Sequence, residues 1–208
     1  MQYSLPRHEN PVDFLPTVSA LENPKRVADY FQEVITGYGG TYVLMCRVPQ
    51  PHELLVDCIL MDTRPVAWAR RYRNKGYMNT DPLVLTAQRR VLPCTWSDAI
   101  AAFPDDPTAQ LIHKERLAYG VTDGLLVPIH STNGRAALVS IGTNAVLTDE
   151  ALDALTMMSL VAHNILSAMQ QSDPTELGAF TAREIECAAR QSRCEGGVNQ
   201  DETAPGLG

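Results

Sequence analysis

Residues 125–171 constrain the fold more than any other stretch of the chain. Leu125–His130 and Arg135–Ile141 are short, apolar and β-branched. Between them lies Ser131-Thr132-Asn133-Gly134, and Asn-Gly is a strong hairpin signal because both residues tolerate positive φ. Thr148-Asp149-Glu150 then opens a long helix to about Gln171, acidic in its first turn as the helix dipole favours. Leu152, Leu155, Ala162, Leu166 and Met169 line one face, and Met158, Val161 and Ile165 widen it. That is more apolar surface than one sheet face needs, so part of it is expected to pack on a second subunit.

The upstream half supplies the rest of the sheet. Asn23-Pro24 reads as an N-cap with proline at the first helical position, and Val27, Phe31, Val34 and Ile35 recur on one face. Thr41–Arg47 and Leu54–Leu60 read as an antiparallel pair. Thr63 is a candidate cap for a helix carrying Arg64 to Asn74, Ser97-Asp98 for a short one, and Asp106-Pro107 for one reaching Tyr119. Residues 1–22 hold three prolines and little periodicity, and read as an irregular lead-in. The order predicts an α+β fold: a four- or five-stranded antiparallel sheet with helices on both faces, an α-β-α sandwich of PAS/GAF-like type.

Composition narrows the function. The net charge of −7 disfavours a polyanion binder. Five cysteines, an odd number, fit neither a disulfide framework nor a zinc site, and the five histidines show no ligand spacing. No metal or cofactor is expected. There is no G-x-S-x-G elbow, P-loop or H-E-x-x-H, so an enzyme is not expected. No signal core or spanning apolar run is present, and a soluble cytoplasmic protein without membrane attachment is the expectation.

One stretch stands out, from Arg64 to Trp96. It holds both tryptophans, Trp68 and Trp96, with Tyr72, Tyr77 and the pair Asp81-Pro82 between them. Trp68 and Tyr72 are four apart and share a helical face, while Arg70, Arg71 and Arg73 fall elsewhere, as a solvated face would. An ionised Asp81 opposite them could accept a hydrogen bond from a ligand N–H in a dry pocket. It could equally cap a helix at the Asp-Pro turn, among ordinary core aromatics. Residue types alone favour the second reading.

The spacing W-x3-Y-x8-D-P, with Trp96 fifteen residues beyond Asp81, Gly124 after the next helix and the Asn-Gly hairpin, resembles the autoinducer-binding domain of LuxR-type quorum-sensing regulators. The resemblance covers roughly residues 15–172. It implies an N-acyl-homoserine lactone ligand. Trp68 then looks like the donor to the lactone ring carbonyl and Asp81 like the acceptor of the amide N–H. Tyr72 and Trp96 look like pocket walls, and Ser140 like a hydroxyl meeting the acyl or amide carbonyl. Pro82 and Gly124 look structural. Many members carry a tyrosine one helical turn before Trp68, where this chain has Arg64. Either Arg64 points outward and Ser140 or Tyr72 serves the carbonyl, or the acyl group differs. The competing expectation is a PAS- or GAF-like sensory or scaffold domain acting by protein contacts without a lactone.

The family likeness divides the chain into an autoinducer-binding domain (1–172), a linker (173–180) and the truncated start of a helix-turn-helix domain with a disordered tail (181–208). FTAREIECAAR resembles the opening of that domain, and Thr181 with Glu184 forms a capping box. Residues 173–208 carry three arginines against seven carboxylates, so direct DNA binding is not expected of them. The implied partners are a small-molecule autoinducer and either a second copy or a full-length LuxR-type regulator. The implied role is ligand sink or dominant-negative partner.

Overall fold

The computed structural model describes residues 10–120, 122–131 and 134–172. The linker and helix-turn-helix readings lie outside the described residues. The chain runs α1 (Pro11–Ser19), α2 (Pro24–Gly37), β1 (Gly40–Arg47), α3 (Leu55–Cys58), β2 (Ile59–Asp62) and α4 (Val66–Asn74). A 3-10 turn (Tyr77–Asn79) leads to α5 (Pro82–Arg89), β3 (Cys94–Thr95), α6 (Trp96–Ala101), α7 (Pro107–Leu117), β4 (Asp123–His130), β5 (Ala136–Thr143) and α8 (Asp149–Ser172). The five strands form one antiparallel sheet in the order β2-β1-β5-β4-β3.

The two-residue period of the strands separates two cores. Val43 and Met45 of β1, Val139 and Ile141 of β5, and Leu125 and Val127 of β4 point to one face. There they meet Phe14 and Val18 of α1, Phe31 and Ile35 of α2, and Leu155, Met158, Ala162 and Leu166 of α8. Tyr42, Leu44 and Cys46, with Leu126 and Leu138, point to the opposite face and meet α4, α5, α6 and α7. The result is the expected α-β-α sandwich. By length and composition alone α8 could cross a membrane, but in this fold it is a core helix with one face buried.

Four local readings change. Residues 11–19 are helical rather than irregular. Pro11 sits at the first helical position, where its missing N–H costs nothing, and Asn10 caps by accepting from Val12 N at 3.0 Å. Burial of Phe14 and Val18, one turn apart, holds the helix despite Pro16. Leu54–Leu60 is not one strand. The Glu53 carboxylate ties back to Gln50 N at 3.0 Å, Leu54 stays exposed, and a single helical turn precedes β2.

Thr63 does not cap α4, whose N-cap is Pro65 without a side-chain bond. Its hydroxyl accepts from Val43 N at 2.8 Å and donates to Gln32 Oε1 at 2.6 Å, extending the β1–β2 pairing by one side chain. Thr95, not Ser97, caps α6 in a reciprocal capping box with Asp98. Ser97 instead donates to Asp123 through its backbone N–H at 3.0 Å and its hydroxyl at 2.7 Å. The α7 cap at Asp106 and the acidic start of α8 stand as expected. Gly134 has φ +79° at the β4–β5 hairpin, but Thr132 and Asn133 lie outside the described residues.

Candidate ligand-binding site

The second core contains a cavity. Its floor is the sheet, through Tyr42 and Leu44 of β1 and Leu138 and Ser140 of β5. Its walls are α4, the first turn of α5, α6 and α7. Trp68, Tyr72, Asp81, Trp96, Ser140 and Pro82 all line it, so the structure brings together residues separated by more than seventy positions in the chain. The free space is small, about 30 Å³. Small-molecule pockets run to about 300–1,000 Å³, so an occupant of ordinary ligand size needs lining side chains to move.

Trp68 and Tyr72 sit on consecutive turns of α4, and their rings meet edge to face at 5.8 Å. Tyr77 and Tyr119 pack against the other sides of Trp68, at 6.3 and 5.4 Å between ring centres. Asp81 is buried at 6% exposure and makes two bonds that divide its roles. Oδ1 accepts from Leu83 N at 2.9 Å, which is the N-cap of α5, and Oδ2 accepts from the Tyr72 hydroxyl at 2.8 Å. The capping reading of Asp81 is therefore in place, and its carboxylate also lines the cavity. A carboxylate has about four lone-pair positions, so two remain for a further donor. Burial pushes the Asp81 carboxyl above its usual range, partly offset by these two hydrogen bonds. Tyr72, desolvated beside that carboxylate, is raised well above an ordinary phenol.

Trp96 lies flat on the sheet at Gly124. A Cβ built on Gly124 would fall 2.5 Å from Trp96 Cε2 and collide with the Ile141 carbonyl oxygen. Only glycine permits that approach. Gly124 does not line the cavity itself; it sets how deep the Trp96 wall sits.

Arg64 is the main correction. It does not point outward: it is 7% exposed and lines the cavity. Its Nε donates to Asp62 Oδ1 at 2.8 Å and its Nη2 to Asp62 Oδ2 at 2.7 Å, a bidentate pair, with the guanidinium 4.9 Å from the centre of the Tyr72 ring. The rest of the basic run behaves as a solvated face: Arg70 is exposed and Arg71 pairs with Glu115 at 2.5 Å.

The sequence reading missed Tyr42, His113 and Arg116 as cavity residues. Arg116 is buried at 4% with its guanidinium 4.2 Å from the centre of the Trp96 ring. His113-Lys114-Glu115-Arg116 looks like a solvated run. The available signal was helical spacing, because Ala109, Ile112 and Arg116 fall at i, i+3 and i+7 on one stripe. Tyr42 shares the strand face of Leu44 and Cys46, which alternation alone shows.

Comparison with known proteins follows the same lines. The family model described as the autoinducer binding domain matches residues 23–169. The quorum sensing-dependent transcriptional regulator RpaR of Rhodopseudomonas palustris is 27% identical over 175 residues, 84% of this chain and 72% of that protein. The transcriptional activator VanR of Vibrio anguillarum is 27% identical over 171 residues, 77% of this chain and 70% of that protein. Among solved structures, CepR2 of Burkholderia cenocepacia, an N-acylhomoserine lactone dependent LuxR family factor, superposes with a TM-score of 0.62 at 16% identity, covering 78% of this chain and 96% of that one. Escherichia coli SdiA gives 0.57 at 19% identity, over 76% and 67%. These two share the fold. RpaR is by name a quorum sensing-dependent transcriptional regulator and VanR a transcriptional activator, and the match over residues 23–169 places this chain in the autoinducer-binding-domain family.

Proposed function

We propose that the cavity is the receptor site for an N-acyl-homoserine lactone and that the chain senses it as a quorum-sensing receptor. The observation that carries this is Asp81. A carboxylate held by Tyr72 and Leu83 inside an apolar wall keeps lone pairs for an amide N–H, and Trp68 offers an indole N–H on the same wall. An amide flanked by carbonyls and an apolar chain fits that arrangement of one acceptor and one donor. Trp68 donates to the ring carbonyl, Asp81 accepts the amide N–H, Tyr72 and Trp96 flank the ring and chain, and Ser140 meets the second carbonyl. Arg64, committed to Asp62, positions Tyr72 rather than contacting the ligand.

The chain is proposed to pair through α8, where Met157 and Leu160 are exposed beside the buried stripe. The partner is a second copy or a full-length regulator. Residues 173–208 carry seven carboxylates against three arginines, a charge balance that disfavours a polyanion, and ligand capture or pairing is the mode of action proposed for residues 1–208. Loss of promoter binding on mixing with a full-length relative supports pairing, and undiminished promoter binding speaks against it.

Ligand binding is tested by unfolding the purified chain with and without short- and long-chain acyl-homoserine lactones. A ligand that binds only the folded state raises the midpoint with concentration. No shift with any of the series removes the lactone reading and leaves a sensory or scaffold domain that acts by protein contacts.

A further inference from the structure

Three buried polar atoms around the cavity have no partner among the described residues: Tyr42 Oη, Trp96 Nε1 and Arg116 Nε. They come from β1, α6 and α7 but form one cluster. The Arg116 guanidinium stacks on Trp96, and the Trp96 and Tyr42 rings are 6.2 Å apart. Arg116 meets His113 Nδ1 at 2.7 Å and forms no ion pair among the described residues. A guanidinium only donates, so His113 Nδ1 accepts that bond, and burial with the Arg116 charge holds the imidazole below its ordinary range. An indole N–H and a guanidinium N–H can only donate, and a phenol can do either. The cluster therefore asks for an acceptor. The lactone contacts proposed above use none of these three atoms.

Charge selects the kind of acceptor. Arg64 is neutralised by Asp62. The charge that most favours protonated Arg116 is Asp81, across the cavity. A neutral oxygen leaves this balance intact. A second carboxylate would share the cavity with Asp81, and like charges in a desolvated space oppose each other. A plain alkyl chain would bury all three atoms unpaired.

We infer that the acyl group of the ligand carries a neutral oxygen acceptor, and that Arg116, with Trp96 and Tyr42, is the specificity determinant that receives it. This rests on the lactone reading above. Both tryptophans line the cavity, so tryptophan fluorescence reports occupancy directly.

The test titrates the full chain with four homoserine lactones of matched length: N-octanoyl, N-(3-oxooctanoyl), N-(7-oxooctanoyl) and N-(7-carboxyheptanoyl). At least one oxo ligand binds about tenfold or more tighter than octanoyl, because a site built to donate hydrogen bonds discriminates against a ligand lacking the acceptor. Arg116→Met lowers affinity for the favoured oxo ligand more than for octanoyl, so the oxo-to-octanoyl ratio falls by about tenfold. Tyr42→Phe, which removes one oxygen and little volume, reduces the preference in the same direction and serves if Arg116→Met does not fold. Octanoyl binding as tightly as both oxo ligands overturns the inference. So does an equal loss of all ligands in Arg116→Met, which means the three atoms serve a common carbonyl or an ordered water. A carboxylate ligand binding tightest overturns the charge argument. If no lactone binds the parent chain, the receptor reading itself fails, which is a separate result.

Discussion

At the residue scale, Asp81 caps α5 and is proposed to accept the ligand amide, and a single substitution separates the two. Asn is as good an N-cap as Asp, so Asp81→Asn keeps the bond to Leu83 N and the start of α5. What it loses is the charged acceptor. A hydrogen bond to a charged group is worth about 1.5–3 kcal/mol, so lactone affinity is predicted to fall roughly 10- to 150-fold while the chain still unfolds cooperatively. Unchanged affinity by tryptophan fluorescence would remove Asp81 from the ligand.

The pH dependence follows from the same group. Burial raises the Asp81 carboxyl above 3.8. Below its folded pKa it is protonated and no longer a charged acceptor, so affinity falls with decreasing pH at a higher pH than an ordinary aspartate would give. Stability runs the other way. A raised folded pKa favours the neutral form, so the contribution of Asp81 is fully present below its unfolded pKa and lost as pH rises through the folded one. The stability of Asp81→Asn relative to the parent is therefore predicted to increase on going from acid to neutral pH, measured by denaturant unfolding. A pH-independent difference contradicts the raised pKa.

Residue spacing made much of the cavity legible. Trp68, Tyr72, Asp81, Trp96 and Ser140 converge because a helical repeat, a cap and a strand period are all written locally. Arg64 and Arg116 were misplaced or missed because a buried arginine is legible only through its partner: Asp62 two residues away for Arg64, and the Trp96 ring for Arg116.

At the scale of elements, the sheet and helices follow from capping and periodicity, and the departures follow from tertiary contacts no local rule contains. Helix α1 exists because α8 and α2 cover Phe14 and Val18. Thr63 leaves its capping role because Val43 N and Gln32 offer better partners. Strand β4 carries the sharpest steric demand. In Gly124→Ala the new methyl meets backbone, the Ile141 carbonyl, which cannot rotate away, and the Trp96 ring. Overpacking costs about 1–3 kcal/mol, and a backbone clash belongs at the upper end. Gly124→Ala is predicted to lower the unfolding midpoint and weaken lactone binding together. An unchanged midpoint would mean Trp96 does not sit on the sheet as described.

For the whole molecule, the two faces of the sheet divide the work. One face, covered by α1, α2 and α8, is a buried apolar core. The other holds the cavity beneath α4, α5, α6 and α7, with about 30 Å³ free. A ligand that fills it joins the second core, so binding and folding of that layer are coupled. The proposed pairing uses α8 of the first layer. Met157→Lys with Leu160→Lys, at 59% and 38% exposure, is predicted to shift the chain to monomer in sedimentation while lactone affinity is kept. A dimer that survives both lysines places the interface elsewhere.

The most direct measurement is a crystal structure of the chain grown with N-octanoyl-homoserine lactone. The account predicts the ligand in the cavity, with its amide nitrogen about 2.7–3.2 Å from an Asp81 carboxylate oxygen and its ring carbonyl on Trp68 Nε1. A ligand bound outside this cavity, or inside it with the amide turned away from Asp81, contradicts the account.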